Sequence, residues 1–223
     1  MQATFPHLAL WQDVQFYIAG QSLEPEESVT GNETIVPTMR GKWMASAKFV
    51  LRGEAATLQW QAFLAQMQGR IGTTLVPCRS RYRPKDRNGL PLPFCSIGGI
   101  AGSQTFEHFG FQNTPVNRIV LASAAALRAT ELDLTLNDTT GLRPGQFFSI
   151  GERLHRVQLH WRPSSTTNRV MIEPPLRAAA PAGSRLEIER PVCKMRMVSE
   201  TEGLFDQAMA VTPSTPVNFM EAL

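Results

Sequence analysis

The chain has 223 residues and a mass of 24.7 kDa, enough to bury a sizeable core as one large domain or two small ones. Its 43% hydrophobic and 18% charged content lies in the globular range, which excludes wholesale disorder and a fibrous chain. A formal net charge of +3 is small for this size, and the basic residues are spread out except at 79–87, so a specific nucleic-acid reader, which usually carries a denser basic face, is not the leading reading.

The N-terminal third is β-prone. Residues 8–11 and 14–18 read as short strands, followed by an acidic surface loop at 24–27 (EPEE). The clearest strand covers 42–52: Trp43, Ala45, Ala47, Phe49 and Leu51 fall on one face, and Lys42, Ser46, Lys48 and Arg52 on the other. A helix is predicted over 54–68, where Ala56, Trp60, Phe63, Leu64 and Met67 recur at helical spacing and Gly69 supplies a left-handed stop. Residues 71–78 return as a strand. Trp43, Phe49, Trp60, Phe63 and Leu64 are the expected core.

From 79 to 115 no periodicity survives, and Gly, Pro, Asn and Ser surround scattered phenylalanines. A loop of that length inside a compact domain is usually functional. The alanine-rich stretch 122–129 reads as a helical turn or a linker. Short alternating strands then recur at 131–136, 146–150, 153–161, 169–173 and 185–189, separated by turn signals such as Pro144-Gly145, Gly151 and Pro174-Pro175. Residues 123–197 therefore read as a compact inserted β module, and the last stretch returns to cover the sheet edge of the first domain. The expected division is 1–122 together with 198–223, and 123–197.

Few residues carry the spacing of a chemical site. His7, His108, His155 and His160 show no metal-ligand spacing, and His155 and His160, five apart, fall on opposite faces of a regular strand. Cys78, Cys95 and Cys193 form no CxxC pair and read as reduced, packed thiols, so neither a disulfide framework nor a zinc site is expected. Residues 95–102 (CSIGGIAG) lack both GxSxG and a phosphate-loop Lys-Ser/Thr, and read as a flexible loop. No catalytic residue, metal or cofactor is assigned. A basic ribbon of Arg79, Arg81, Arg83, Lys85 and Arg87 reads as a surface for an acidic partner, for solvent or for nucleic acid, and Phe106, Phe109 and Phe111 around His108 read as buried loop core or as a subunit contact. Of these, Arg79, Arg81, Arg83, Arg87, Phe106, Phe109 and Phe111 are the candidate assembly interface. The first ten residues lack the basic and apolar regions of a secretion signal. No stretch approaches the roughly 20 apolar residues that span a bilayer. Synthesis and retention in a cytoplasm, without a membrane, are the expectation.

Several segments in this order resemble the distal tail proteins of long-tailed phages and gene transfer agents. They are residues 42–51 (KWMASAKFVL), 60–64 (WQAFL), 69–77 (GRIGTTLVP), 126–132 (ALRATEL), 141–151 (GLRPGQFFSIG), 154–157 (LHRV), 174–177 (PPLR) and 217–223 (VNFMEAL). The resemblance covers most of the chain and rests on packing and turn patterns. It implies a mainly-β fold: a tail-tube-like β-sandwich (belt) flanked by one α-helix, carrying an inserted small β-barrel. It also implies a non-enzymatic virion protein at the tail tip, assembled in the host cytoplasm as a hexameric ring. Its partners would be copies of itself, the tail-tube protein, the baseplate hub protein, and fibre or receptor-binding proteins. DNA would pass through the lumen without being read.

Other readings of the sequence are a tail-tube or hub component, and a carbohydrate-binding β-sandwich using Trp161. A hydrolase built on Cys95 or Ser96 with His108 is a further one.

Overall fold

The computed structural model describes residues 1–24, 26–27, 33–38, 40–78, 80, 82, 85, 118–137, 139–163, 167–188, 190–205 and 213–223. Within these the chain is mainly β with one helix, as the alternating patterns predict. It divides into two compact units. The first comprises Met1–Cys78, Glu152–Leu154 and Val192–Leu223, and the second Arg79–Gly151 and His155–Pro191.

The first unit is built on a six-stranded sheet. In chain order its strands are β1 (Gln2–Ala3), β2 (Leu10–Ala19), β5 (Lys42–Val50), β6 (Thr73–Pro77), β12 (Val192–Met197) and β13 (Ser214–Glu221). Across the sheet the order is β1-β6-β12-β13-β5-β2. Alternation in β5 buries Trp43, Ala45, Ala47 and Phe49, while Ser46 and Lys48 face solvent. On this buried face lies the helix α1 (Gly53–Met67), which contributes Ala56, Trp60, Phe63 and Met67, with Leu64 half-buried. An aromatic cluster joins the two layers: Phe49 sits 4.9 Å from Trp60 and 4.7 Å from Trp11, and Phe5 stacks on Trp11 at 5.5 Å. Full burial of such a ring, as at Phe49 and Trp60, contributes about 1.5–3 kcal/mol, and the half-buried Phe5 and Trp11 contribute less.

The helix ends one residue earlier than Gly69 suggests. Gln68 already takes the left-handed conformation (φ 46°, ψ 49°) and donates its N–H to the Leu64 carbonyl. The turn into β6 then brings Gly72 so close that a Cβ there would lie 2.6 Å from the Met67 carbonyl oxygen.

Three expectations are corrected here. The two short strands predicted over 8–18 are one strand, β2, with a register shift between Trp11 and Asp13. The C-terminal segment returns to this unit, but β13 lies inside the sheet between β12 and β5 and covers no edge. Finally, β12 belongs to this unit and was expected in the inserted module. Its alternation of buried Cys193, Met195 and Met197 with Lys194 and Arg196 identifies a strand without naming its partners, which are β6 and β13.

Between β2 and β5, β3 (Glu26–Glu27) pairs with β4 (Glu33–Thr34), and Ser22 bridges Pro37. The antiparallel ladder of β2 and β5 thereby continues outward as an arm.

The second unit is a five-stranded sheet, ordered β7-β8-β11-β10-β9. Its strands are β7 (Arg118–Leu121), β8 (Glu131–Asn137), β9 (Phe147–Ile150), β10 (Arg153–Trp161) and β11 (Asn168–Glu173). The predicted strand at 185–189 appears as two bridges, Arg185 to Val120 on β7 and Glu187 to Ser149 on β9. Because β7 and β9 are the two ends of the sheet, these bridges close it into a small barrel. Ile119, Leu132, Phe148, Val157, Val170 and Leu186 fill the interior. The alanine-rich joint is neither helix nor linker: Ala125 bridges Ala180, and the Arg128 N–H donates to the Leu176 carbonyl at 2.8 Å. The barrel also takes β7, expected in the first domain. Four residues directly after an aperiodic stretch give too short an alternation to place from sequence.

Candidate assembly interface

β2 forms one end of the six-stranded sheet and has β5 as its sole strand neighbour among the described residues. Register with β5 sets Trp11, Val14, Phe16 and Ile18 opposite Phe49, Ala47, Ala45 and Trp43, on the core face. Leu10, Asp13, Gln15 and Tyr17 occupy the other face and are exposed. An edge strand presents a row of backbone donors and acceptors, which soluble proteins usually guard with lysine, proline, bulges or brevity. β2 is ten residues long and carries neither lysine nor proline; its guards are one carboxylate and the bulge at Gln12.

The arm extends this edge. Leu23 N–H donates to the Val36 carbonyl at 3.0 Å, and Thr38 N–H to the Gln21 carbonyl at 2.7 Å. Its aliphatic side chains stay in solvent, Leu23 at 53% and Ile35 at 59% exposure, with Val36 beside them. Residues 20–39 contain four glutamates and no lysine or arginine, so the arm is both apolar and acidic. At the opposite end of the sheet is β1, where Met1 and Ile71 are exposed and the Met1 carbonyl accepts the Thr73 N–H. The two ends therefore differ in length and chemistry, which suits head-to-tail association.

Every residue of the predicted interface lies outside the described residues: Arg79, Arg81, Arg83, Arg87, Phe106, Phe109 and Phe111. The same holds for Cys95, Ser96 and His108. Of that region Ser80, Tyr82 and Lys85 are described. The Tyr82 carbonyl accepts Gln146 Nε2 at 3.5 Å, and the Lys85 carbonyl accepts the Thr140 N–H at 3.1 Å and the Thr139 hydroxyl at 3.0 Å. The edge was missed by sequence reasoning. Its signals were the ten-residue β-prone run without lysine or proline and the following stretch without a basic residue.

The remaining reactive groups serve the fold. Burial pushes the Cys78 thiol up to about 12. The Cys193 thiol is also pushed up, by burial first and the Glu221 charge second, so both stay protonated and poorly nucleophilic. His155 donates Nδ1–H to the Pro174 carbonyl at 2.8 Å and lies against Phe148 at 5.7 Å. His155 and His160 share the interior side of the barrel rather than opposite faces, because the register of β10 shifts between Val157 and Leu159. The Lys194 ammonium, 2.8 Å away, holds the Glu152 carboxyl below its ordinary range. Among the described residues no three metal-ligating side chains gather, and no helix is long and apolar enough to cross a membrane. No family model and no curated protein matches the chain.

Proposed function

We propose that the chain is a structural subunit of a tailed-phage virion: a distal tail protein whose copies form a ring joining the tail tube to the baseplate hub and fibres. The observation that carries this reading is the weakly guarded edge of β2, prolonged by an arm with exposed Leu23 and Ile35. Such a surface is a hazard in a solitary protein and an asset in a protein that meets copies of itself. Two unlike sheet ends support a heterologous contact, which closes into a ring when the rotation permits. The sixfold number, the tube and hub partners, and the position at the tail tip come from the resemblance of segments such as 42–51 and 141–151 to distal tail proteins. In this reading function resides in association, the chain is no enzyme and needs no cofactor, and DNA passes through the lumen unread. A tube or hub subunit would share the edge and differ in its level in the tail.

Immunogold labelling of purified tails with an antibody against the chain tests the proposal. Label at the tube end that bears the fibres is the expected result. Label along the whole tube would assign the chain to the tube, and particles without label would overturn the virion role.

A further inference from the structure

The barrel carries a second surface, on the outer side of β10, β11 and β8. Val157 faces the interior and is buried. Strict alternation would send Leu159 and Trp161 inward after it. The register of β10 instead shifts between Val157 and Leu159. As a result Leu159 and Trp161 stand in solvent, at 56% and 36% exposure. A β-bulge is a common means of re-aiming a side chain beside a binding site. Here it turns two large apolar groups away from a core that would have stabilised them.

The neighbours of Trp161 are polar and held in place. Trp161 is register partner to Arg169, and Arg169 to Asp133, so the three form one row across three strands. Arg169 forks onto both carboxylate oxygens of Asp133, Nε at 2.6 Å and Nη2 at 3.0 Å, and Nη1 lies 3.5 Å from Glu131. Farther along the same outer face Arg156 is bound to Glu173 at 3.0 Å.

We propose that this row is a binding site for a neutral saccharide. The exposed indole offers a flat, electron-rich face to the C–H groups of a pyranose ring. Each Asp133 oxygen holds one hydrogen bond of the fork and keeps a further lone pair for a sugar hydroxyl, while the guanidinium keeps N–H donors. With strands about 4.8 Å apart, the row from Trp161 to Asp133 spans about 10 Å, the reach of two linked sugar rings. The ion pairs also argue for a neutral ligand. Arg156 and Arg169 are each balanced by a carboxylate, so the middle of the face holds no surplus positive charge to draw a phosphate backbone. This inference rests on the barrel alone and stands or falls apart from the ring.

The test uses the full chain and a panel of neutral oligosaccharides built from glucose, galactose, mannose and N-acetylglucosamine, each titrated while tryptophan emission is recorded. At least one member is expected to shift the emission saturably, with little dependence on salt. Trp161→Ala should abolish the response and Arg169→Ala weaken it about tenfold or more. Both variants should keep the wild-type melting temperature, since neither side chain is in the core. Three results would overturn the proposal: no response from any neutral sugar, an undiminished response in Trp161→Ala, or a salt-sensitive response to sulfated sugars or single-stranded oligonucleotides alone.

Discussion

The Trp43 backbone N–H donates to the Glu221 carboxylate at 3.1 Å, with both residues buried. This bond ties the start of β5 to the end of β13, two strands separated by most of the sequence. Around it the Trp43 indole donates to the Leu154 carbonyl at 2.7 Å. The Arg153 guanidinium lies 3.8 Å from Glu221 and also donates to the Ala222 carbonyl. The short segment Glu152–Leu154 is thus fastened into the first unit by its charged and carbonyl groups.

Glu221→Ala should destabilise the protein by about 1–3 kcal/mol, because it strands the buried Trp43 N–H and removes the ion-pair partner of the partly buried Arg153. Trp43→Phe, which keeps most of the ring and removes the indole donor, should cost about 1–3 kcal/mol. Urea unfolding followed by circular dichroism reads both. Equal, small losses would show that the network contributes little.

The buried thiols make stability depend on alkaline pH. The Cys78 thiol has an ordinary value of 9.0 and is pushed to about 12 in the fold, so the folded chain keeps a proton that the unfolded chain has released. The associated stability is complete below about pH 9 and declines as pH rises toward 12, by up to about 1.4 kcal/mol per pH unit. Between pH 8 and pH 10 the urea midpoint of the wild type should fall further than that of Cys78→Ala. In a Cys95→Ser background, neither remaining thiol should react with a disulfide reagent until the protein is unfolded.

Gly72→Ala should lower stability by about 1–3 kcal/mol, since the new Cβ would collide with the Met67 backbone. For a chain of this length that is a drop in Tm of about 2–4 °C for each kcal/mol, measurable by calorimetry. Gly145→Ala tests a different cause: nothing lies within 4 Å of its Cβ position, but its φ is +86°. It should cost less than Gly72→Ala, through backbone strain alone.

Leu10 and Tyr17 are exposed on the non-core face of β2. The double variant Leu10→Lys, Tyr17→Lys should keep the circular dichroism of the wild type and its Tm within a few degrees, yet lose self-association, because edge lysines oppose strand pairing. Sedimentation velocity separates the two effects. Unaltered association in this variant would place the subunit contact elsewhere.

Much of the fold was legible where one side of an element is buried. The alternation of Trp43 to Leu51 and the spacing of Ala56 to Met67 announced β5 and α1, since burial on one face leaves a period in the sequence. Partnership was not legible. Met195 and Leu134 sit in equally regular alternations, but nothing local tells which sheet either strand joins. Bulges were likewise invisible, and the one before Leu159 reverses the facing of Trp161 and His160. The edge of β2 was hidden for a related reason: whether a strand has a neighbour on each side is a property of the sheet order.

Native mass spectrometry of the purified chain, alone and mixed with the tail-tube and hub proteins, tests most directly whether the molecule is made to join copies of itself. A closed assembly at six times the 24.7 kDa subunit mass, formed alone or on those partners, is the predicted result. A monomer under both conditions would contradict the account.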